Sequence, residues 1–209
     1  IILGLEDPYA WMPSSEWTPG ETIRFSSFTT NYVPSNTGPL VGGASLDGKL
    51  VLFTTGAAYA TIGDGPDLLG SNNYPPVERI ASVDAGPIPG TPILETPLGL
   101  VYQTVTGIML LDRGLNAQFI GADVELFSST PYVLRSSVLD AENQEFRLLL
   151  DPGSDLVGEQ TGTLVPSNGG VGLIYNYFYQ QWSILFNYGG QNACFYQGKY
   201  TMVRSDGVV

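Results

Sequence analysis

Four stretches of the chain share one pattern, in which an apolar run, a short glycine-containing or polar turn and a second apolar run follow one another. Runs of β-branched and aromatic residues divided by such turns are typical of β-hairpins. The pattern therefore predicts four hairpins, at residues 48–65, 99–114, 172–190 and 193–207.

The first two hairpins look like copies of one unit. Gly56 follows Gly48 by eight positions, and Gly107 follows Gly99 by the same interval, with a threonine directly before the second glycine in each case. The two copies are offset by 51 residues. A third copy is indicated near the end of the chain, where Gly198 and Gly207 are nine positions apart, as Gly56 and Gly65 are. The glycines are interpreted as turn residues. A phosphate-binding loop would need a characteristic glycine spacing that leads into a helix, and the sequence contains no such pattern.

Further strand candidates lie between the hairpins, at residues 23–28, 76–83, 119–127, 131–140 and 145–153. Two such strands and one hairpin make a four-stranded unit of about 40 to 50 residues, which is the size of a β-propeller blade. We predict an all-β chain, with residues 1–46 as N-terminal strands and a loop and 47–209 as about four antiparallel blades, alone or within a larger propeller. A β-sandwich is the alternative.

Charge and missing residue types restrict the chemistry. Aspartate and glutamate outnumber lysine and arginine by 20 to 8, and the net charge of −12 disfavours a surface that neutralises DNA phosphates. The absence of histidine excludes Ser-His-Asp triads and histidine metal sites. Cys194, the only cysteine, is expected to be a buried structural residue in a strand. No cofactor or metal is expected.

The ends of the chain suggest a part of a larger protein, and its hydropathy bears on membrane insertion. The chain starts at Ile1 instead of methionine and stops shortly after a turn signal, as expected for a piece of a longer polypeptide. It contains no run of about eighteen apolar residues, so we expect a soluble domain that does not enter a membrane.

Carboxylates are densest at residues 139–155, where a glycosidase could find its acid and nucleophile. The pattern favours a structural interpretation, with a solvated turn over 140–144, a strand over 145–150 and a second turn over 151–153. Asp151, Asp155 and Glu159 lack the alternation of oxygen ligands that a calcium loop requires. The remaining members of the cluster are Asp140, Glu142 and Glu145.

Aromatic residues cluster in the third hairpin, where they could stack against sugars. Alternation suggests instead that Tyr175, Tyr177 and Tyr179 point to one side of a strand and Phe178 to the other, with Trp182 opening the return strand. The cluster is therefore interpreted as a strand that is packed on both faces.

The amino-acid sequence of these segments resembles the β-propeller of tail nozzle, hub and stabilisation proteins in short-tailed bacteriophages and related virions. The likeness spans about residues 47–207 and is carried by the hairpins at 48–65 and 172–185, the stretch 82–114 and ENQEFRLLL at 142–150, with WMPSSEW at 11–17 before them. The resemblance implies a structural protein of the virion tail without enzymatic activity. It also implies a homo-oligomeric ring below a portal or adaptor protein, with tail-fibre or needle proteins attached.

In such a ring the genome would pass without sequence-specific binding, and an acidic lumen would repel the DNA backbone during ejection. The acids that the repeat pattern places near the ends of three hairpins are Asp64, Asp112 and Asp206. We predict that they face the channel. Two alternatives stay open, namely a carbohydrate- or receptor-binding propeller module and a propeller glycosidase.

Overall fold

The computed structural model describes residues 1–3, 6–15, 19–20, 22–63, 65–67, 72–129, 132–152 and 170–203. Over these residues the chain is all-β, as predicted, with five antiparallel sheets of which none closes on itself. Helical structure in the described part is confined to α1 (Glu125–Ser128) and to single 3-10 turns at Ser27–Thr29, Ser35–Thr37 and Ala122–Val124. Open sheets of this kind are compatible with a propeller and with a sandwich.

The chain forms two compact units. The first contains Ile1–Pro89 and Arg113–Asn116 and has two sheets. One sheet consists of β1 (Ile2–Leu3), β2 (Ala10–Met12) and β3 (Asn31–Tyr32), and the other of β4 (Leu40–Leu46), β5 (Lys49–Thr54), β6 (Ala57–Ile62) and β7 (Glu78–Arg79). In both sheets, strands that are neighbours in sequence are paired. The unit's core includes Trp11, Leu52 and Tyr59.

The second unit contains Gly90–Asp112 and Ala117–Val209 and has three sheets that follow one another along the chain. The first consists of β8 (Leu94–Thr96), β9 (Gly99–Thr104), β10 (Gly107–Asp112) and β11 (Ala117–Phe119). The next consists of β12 (Tyr132–Asp140), β13 (Glu145–Pro152), β14 (Val171–Asn176) and β15 (Gln181–Phe186). The last consists of β16 (Asn192–Tyr196) and β17 (Lys199–Val203).

The central strands of the second unit form its core. Leu148, Leu149 and Leu150 of β13 are successive residues, and at most 1% of each is exposed, so β13 is buried on both faces. Consecutive apolar residues are expected in such a strand, because successive side chains point to opposite faces. Across the sheet, Phe146 pairs with Tyr175, which in turn pairs with Trp182.

All four predicted hairpins are present, as β5–β6, β9–β10, β14–β15 and β16–β17. The strands predicted at 131–140 and 145–153 are also present, as β12 and β13. The strand predicted at 76–83 is reduced to the two residues of β7.

Two strand predictions were wrong. Residues 23–28 contain an isolated bridge between Ser14 and Phe25 and the start of a 3-10 turn instead of a strand. Residues 119–127 leave the sheet after β11 and become helical from Ala122 onward. In this helical segment Val124 is buried and Phe127 is half-buried, three positions apart, which is the spacing of one helix face.

The repeat offset is 50 residues instead of 51. In the β5–β6 hairpin Thr54 is paired with Ala57, and in the β9–β10 hairpin Thr104 is paired with Gly107. Gly56 therefore lies in the turn, whereas Gly107 is the first residue of the return strand. The two glycines that define the repeat in the sequence are not structural equivalents.

The β5–β6, β8–β9 and β9–β10 turns share a threonine hydroxyl bond and not a glycine position. Thr54, Thr96 and Thr104 each donate a hydrogen bond to the carbonyl oxygen three residues later, with distances of 3.2, 2.8 and 3.2 Å. All three threonines are buried. The hydroxyl bond across the turn satisfies a buried polar group and fixes where the return strand begins.

The copy near the end of the chain, at residues 193–207, corresponds to a different hairpin of the repeated unit than the first two copies do. Gln197 and Gly198, between β16 and β17, have φ angles of 50° and 73°, and Asp47 and Gly48, between β4 and β5, have the same values. Positive φ at both central residues is the mark of the type I′ hairpin turn. The β16–β17 hairpin is therefore the counterpart of β4–β5, not of β5–β6.

Candidate functional site

The first strands of the three sheets in the second unit lie side by side, with β12 next to both β8 and β16. Hydrogen bonds join β12 to β16, because the amide of Ala193 donates to Ser136 Oγ at 3.0 Å and Ser136 Oγ donates to Asn192 Oδ1 at 3.3 Å. We call β8, β12 and β16 the first-strand surface. Its exposed side chains include Glu95, Arg135 and Cys194.

A β-bulge shapes this surface. The pairing of β12 with β13 skips Arg135 between Leu134 and Ser136, and the pairing of β4 with β5 skips Val41 in the same way. A bulge bends its strand and redirects one side chain. The first strands of two sheets therefore carry the same irregularity near their starts, which the sequence pattern did not predict.

The bulge places the Arg135 charge near Asp151, at the end of β13. Burial raises the pKa of the Asp151 carboxyl, and the positive charge of Arg135 partly opposes this rise. Asp151 Oδ2 also accepts a hydrogen bond from the Gln191 side-chain amide at 3.2 Å.

Gln103 connects β9 to the following sheet and is completely buried. Its Nε2 donates to the carbonyl oxygens of Ser128 at 2.9 Å and Tyr132 at 2.8 Å, and its Oε1 accepts from the amide of Leu134 at 2.7 Å. One side chain thus satisfies three backbone groups next to or within β12. The residue therefore links β9 to the start of β12.

Of the three acids predicted to face a channel, the structure describes Asp112, while Asp64 and Asp206 lie outside the described residues. Asp112 is the last residue of β10, is half-buried and pairs with Gly99. Its register counterpart in the β4–β7 sheet is Ile62, which pairs with Lys49. In the sheet order, β9 separates Asp112 from the first strand β8.

The carboxylate cluster is organised around Arg147. Its guanidinium lies 2.6 Å from Glu145 Oε1 and 3.5 Å from Asp140 Oδ2, so that one cation bridges two carboxylates of the β12–β13 hairpin. Asp140 also accepts from the backbone and side-chain amides of Asn143, at 3.2 and 2.9 Å. The predicted turn is present at residues 141–144. Asp140 is instead the last residue of β12, and it is buried and not solvated.

Arg147 also stacks on an aromatic ring, since its guanidinium carbon lies 4.7 Å from the centre of the Tyr200 ring. Burial raises the pKa of the Tyr200 hydroxyl, nearby Tyr188 adds to the rise, and Arg147 opposes it. The arrangement ties β13 to β17 by an ion–ring contact. Of the other predicted acids, Glu142 is exposed in the turn, whereas Asp155 and Glu159 lie outside the described residues.

The aromatic cluster divides into a packed part and an exposed part. Tyr175 and Trp182 have ring centres 4.7 Å apart, and Trp182 Nε1 donates to the carbonyl oxygen of Ile120 at 2.7 Å. The predicted strand alternation was wrong beyond Asn176, because β14 ends there and residues 177–180 form the turn. Phe178 and Tyr179 are therefore exposed at the tip of the hairpin, not packed between neighbours.

The expectation for Cys194 was half right. The residue lies in a strand, β16, as predicted, but its side chain is exposed. Among the described residues, no three histidine, cysteine, aspartate or glutamate side chains are grouped closely enough to hold a metal ion. No helix in the described part of the chain is long and apolar enough to cross a membrane.

No known protein-family model matches the chain, and no curated protein shows significant similarity to it.

Proposed function

We propose that the chain is a β-propeller of about four blades, or part of a larger propeller, and serves as a structural component of a short-tailed bacteriophage tail. Copies of the chain form a ring that is part of the genome-delivery conduit. The ring contacts a portal or adaptor protein on one side and carries tail-fibre or needle proteins on the other. The proposal includes no enzymatic step.

The observation that carries the propeller proposal is the side-by-side arrangement of β8, β12 and β16. Each is the first strand of a sheet in which strands that are adjacent in sequence are paired, as in a propeller blade. In a propeller, the first strands of neighbouring blades meet around the central axis. A sandwich places sheets face to face and does not require their first strands to be neighbours.

The regular spacing of the second strands supports the same arrangement. These strands begin at Lys49, Gly99, Glu145 and Lys199, so that successive starts are 50, 46 and 54 residues apart. A period near 50 residues is that of one blade. The shared type I′ turn of the β4–β5 and β16–β17 hairpins supports the assignment of β16 and β17 as the first two strands of a fourth blade.

The charge of the chain supports a conduit for DNA. With a net charge of −12 per copy, a ring multiplies the repulsion of the phosphate backbone and lets DNA pass without adsorbing. Neighbouring strands are about 4.8 Å apart, so Asp112 on the third strand lies roughly 10 Å from the first strand. In the proposed arrangement Asp112 therefore lies away from the first strands, which surround the axis of each copy and not the lumen between copies.

A glycosidase is less well supported. Asp140 and Glu145 belong to one hairpin, and both bind Arg147. A retaining or inverting glycosidase uses two carboxylates on either side of a glycosidic bond, one of which must hold a proton. Here both carboxylates are instead engaged by the same guanidinium.

Antibody labelling of purified virions tests the proposed location. Gold-labelled antibodies against the full-length protein should mark one end of the particle, at the tail, in electron micrographs. A lysate fraction without particles, treated with the same antibodies, serves as the control. Absence of the protein from purified virions, with the protein found free in the lysate, would contradict a structural role in the tail.

A further inference from the structure

The turn between β14 and β15 presents two aromatic rings to solvent. Phe178 is 66% exposed and Tyr179 is 68% exposed, and their ring centres lie 4.9 Å apart with perpendicular planes. Single exposed apolar residues are common, but two adjacent exposed rings at a hairpin tip form a contiguous apolar surface. The core packing of the sheet does not account for them, because Tyr175 and Trp182 fill that role.

The exposed pair is held in place by a hydrogen-bonded frame. Asn176 Oδ1 accepts from the backbone amides of Phe178 at 3.1 Å and Tyr179 at 3.0 Å. The backbone amide of Tyr177 donates to the carbonyl oxygen of Gln144 at 2.9 Å, which joins this turn to the neighbouring β12–β13 turn. The rings are therefore displayed from a fixed backbone, which lowers the entropic cost of binding a ligand.

Neutral amide groups dominate the polar chemistry of the two joined turns. Residues 141–144 and 177–180 include exposed Asn143, Gln144 and Gln180, and Glu142 is their single charged residue. Gln144 and Gln180 have φ angles of 57° and 55°. Glycine adopts this left-handed backbone conformation at the lowest steric cost, yet both positions carry amide side chains.

We propose that this surface, formed by residues 141–144 and 177–180, is a binding site for a neutral oligosaccharide. The apolar C–H face of a sugar ring packs on the aromatic rings, while its hydroxyl groups pair with side-chain amides and the Glu142 carboxylate. A nucleic-acid strand also stacks on aromatic rings, but its binding requires a positively charged groove. The two turns contain no lysine or arginine and one acid, so their charge favours a neutral ligand.

The first experiment uses an array of neutral oligosaccharides probed with the full-length protein, followed by calorimetric titration of each oligosaccharide that binds. The wild type should bind at least one neutral oligosaccharide. The double variant Phe178→Ala/Tyr179→Ala should lose about tenfold in affinity or more, as expected from removing two stacking rings. Circular dichroism and thermal unfolding establish that each variant is folded.

Two further variants separate a sugar site from a nonspecific apolar surface. Gln144→Gly and Gln180→Gly retain the left-handed backbone and remove only the amide side chains, so a measurable loss of affinity in at least one of them is expected. Phe28→Ala is the matched control, because Phe28 is 97% exposed elsewhere in the chain. Its affinity should equal that of the wild type.

The proposal is overturned if the wild type binds no neutral oligosaccharide on the array. It is also overturned if Phe178→Ala/Tyr179→Ala binds as tightly as the wild type, or if Phe28→Ala loses as much affinity as the double variant. These outcomes do not depend on whether the protein is found in virions, so this proposal and the tail proposal can fail separately.

Discussion

Replacing Gln103 by leucine tests how the second unit holds its sheets together. The substitution keeps a side chain of similar size but removes three hydrogen bonds, leaving the carbonyls of Ser128 and Tyr132 and the amide of Leu134 without this partner. All three residues are buried. The stability of the arrangement around β12 should therefore fall.

The magnitude follows from the number of groups that are left unpaired. An unpaired buried backbone group costs about 1 to 3 kcal/mol, so three groups cost at least about 3 kcal/mol. The more apolar leucine side chain returns about 1 kcal/mol of this loss. We expect Gln103→Leu to lower the free energy of unfolding by about 3 kcal/mol, partial relaxation of the backbone included.

Urea denaturation followed by circular dichroism measures the change, and hydrogen exchange of the Leu134 amide locates it. Gln118→Leu is the matched control, because Gln118 is exposed on β11 of the same sheet. That control should change stability by less than about 0.5 kcal/mol. If Gln103→Leu is as stable as Gln118→Leu, or if the Leu134 amide keeps its protection, the connecting role of Gln103 is refuted.

Three further predictions follow from single contacts. Gly99→Ala should destabilise the protein by more than about 2 kcal/mol in thermal or urea unfolding, because φ is 145° and a Cβ would lie 2.0 Å from the Leu111 carbonyl oxygen. The control Gly48→Ala should cost only about 1 kcal/mol, because φ is 73° there and a Cβ would meet nothing within 4 Å. Equal losses of stability in the two variants would contradict the steric argument. Trp182→Phe should cost about 1 to 2 kcal/mol through loss of the bond to Ile120, and an unchanged urea midpoint would show that this bond contributes nothing. Burial raises the pKa of Tyr102 to about 12, so the unfolded state loses the hydroxyl proton at a lower pH than the folded state does. The free energy of unfolding should therefore fall by about 1.4 kcal/mol per pH unit from about pH 10 up to pH 12. Tyr102→Phe should show a shallower fall, and identical pH profiles of the two proteins would refute the assignment.

The hairpins could be predicted because their information is local. In each of them, apolar runs that are long enough for a strand are separated by residues that favour turns, and the register follows from the turn. The alignment of the copies was less reliable, because it treated Gly56 and Gly107 as equivalent. The turn position is set by the hydroxyl bonds of Thr54 and Thr104, and a threonine in a strand is too common to reveal this role in the sequence.

Features that depend on contacts between distant segments could not be predicted. Asp140 is buried because Arg147 and Asn143 satisfy its carboxylate, whereas an acid at the start of a turn normally favours solvent. The role of Gln103 depends on groups 25 to 31 positions away in sequence. The helical segment after Gly121 was missed because a three-residue 3-10 turn and a four-residue α-helix are too short to show a helical period.

The exposed aromatic pair was missed because strand alternation was extended through the turn. The period-two rule applies only while the backbone stays extended, and β14 ends at Asn176. The Asn176 side chain accepts bonds from two following amides, which is a turn signal that the sequence does contain. A segment that was interpreted as packed strand thereby becomes the carbohydrate site proposed above.

Electron cryo-microscopy of the assembly formed by the full-length protein tests the central proposal most directly. We expect a closed ring of copies. Within each copy, the sheets should radiate from that copy's own axis, with β8, β12 and β16 nearest to it. A monomer in which the same sheets pack face to face would contradict both the propeller and the conduit.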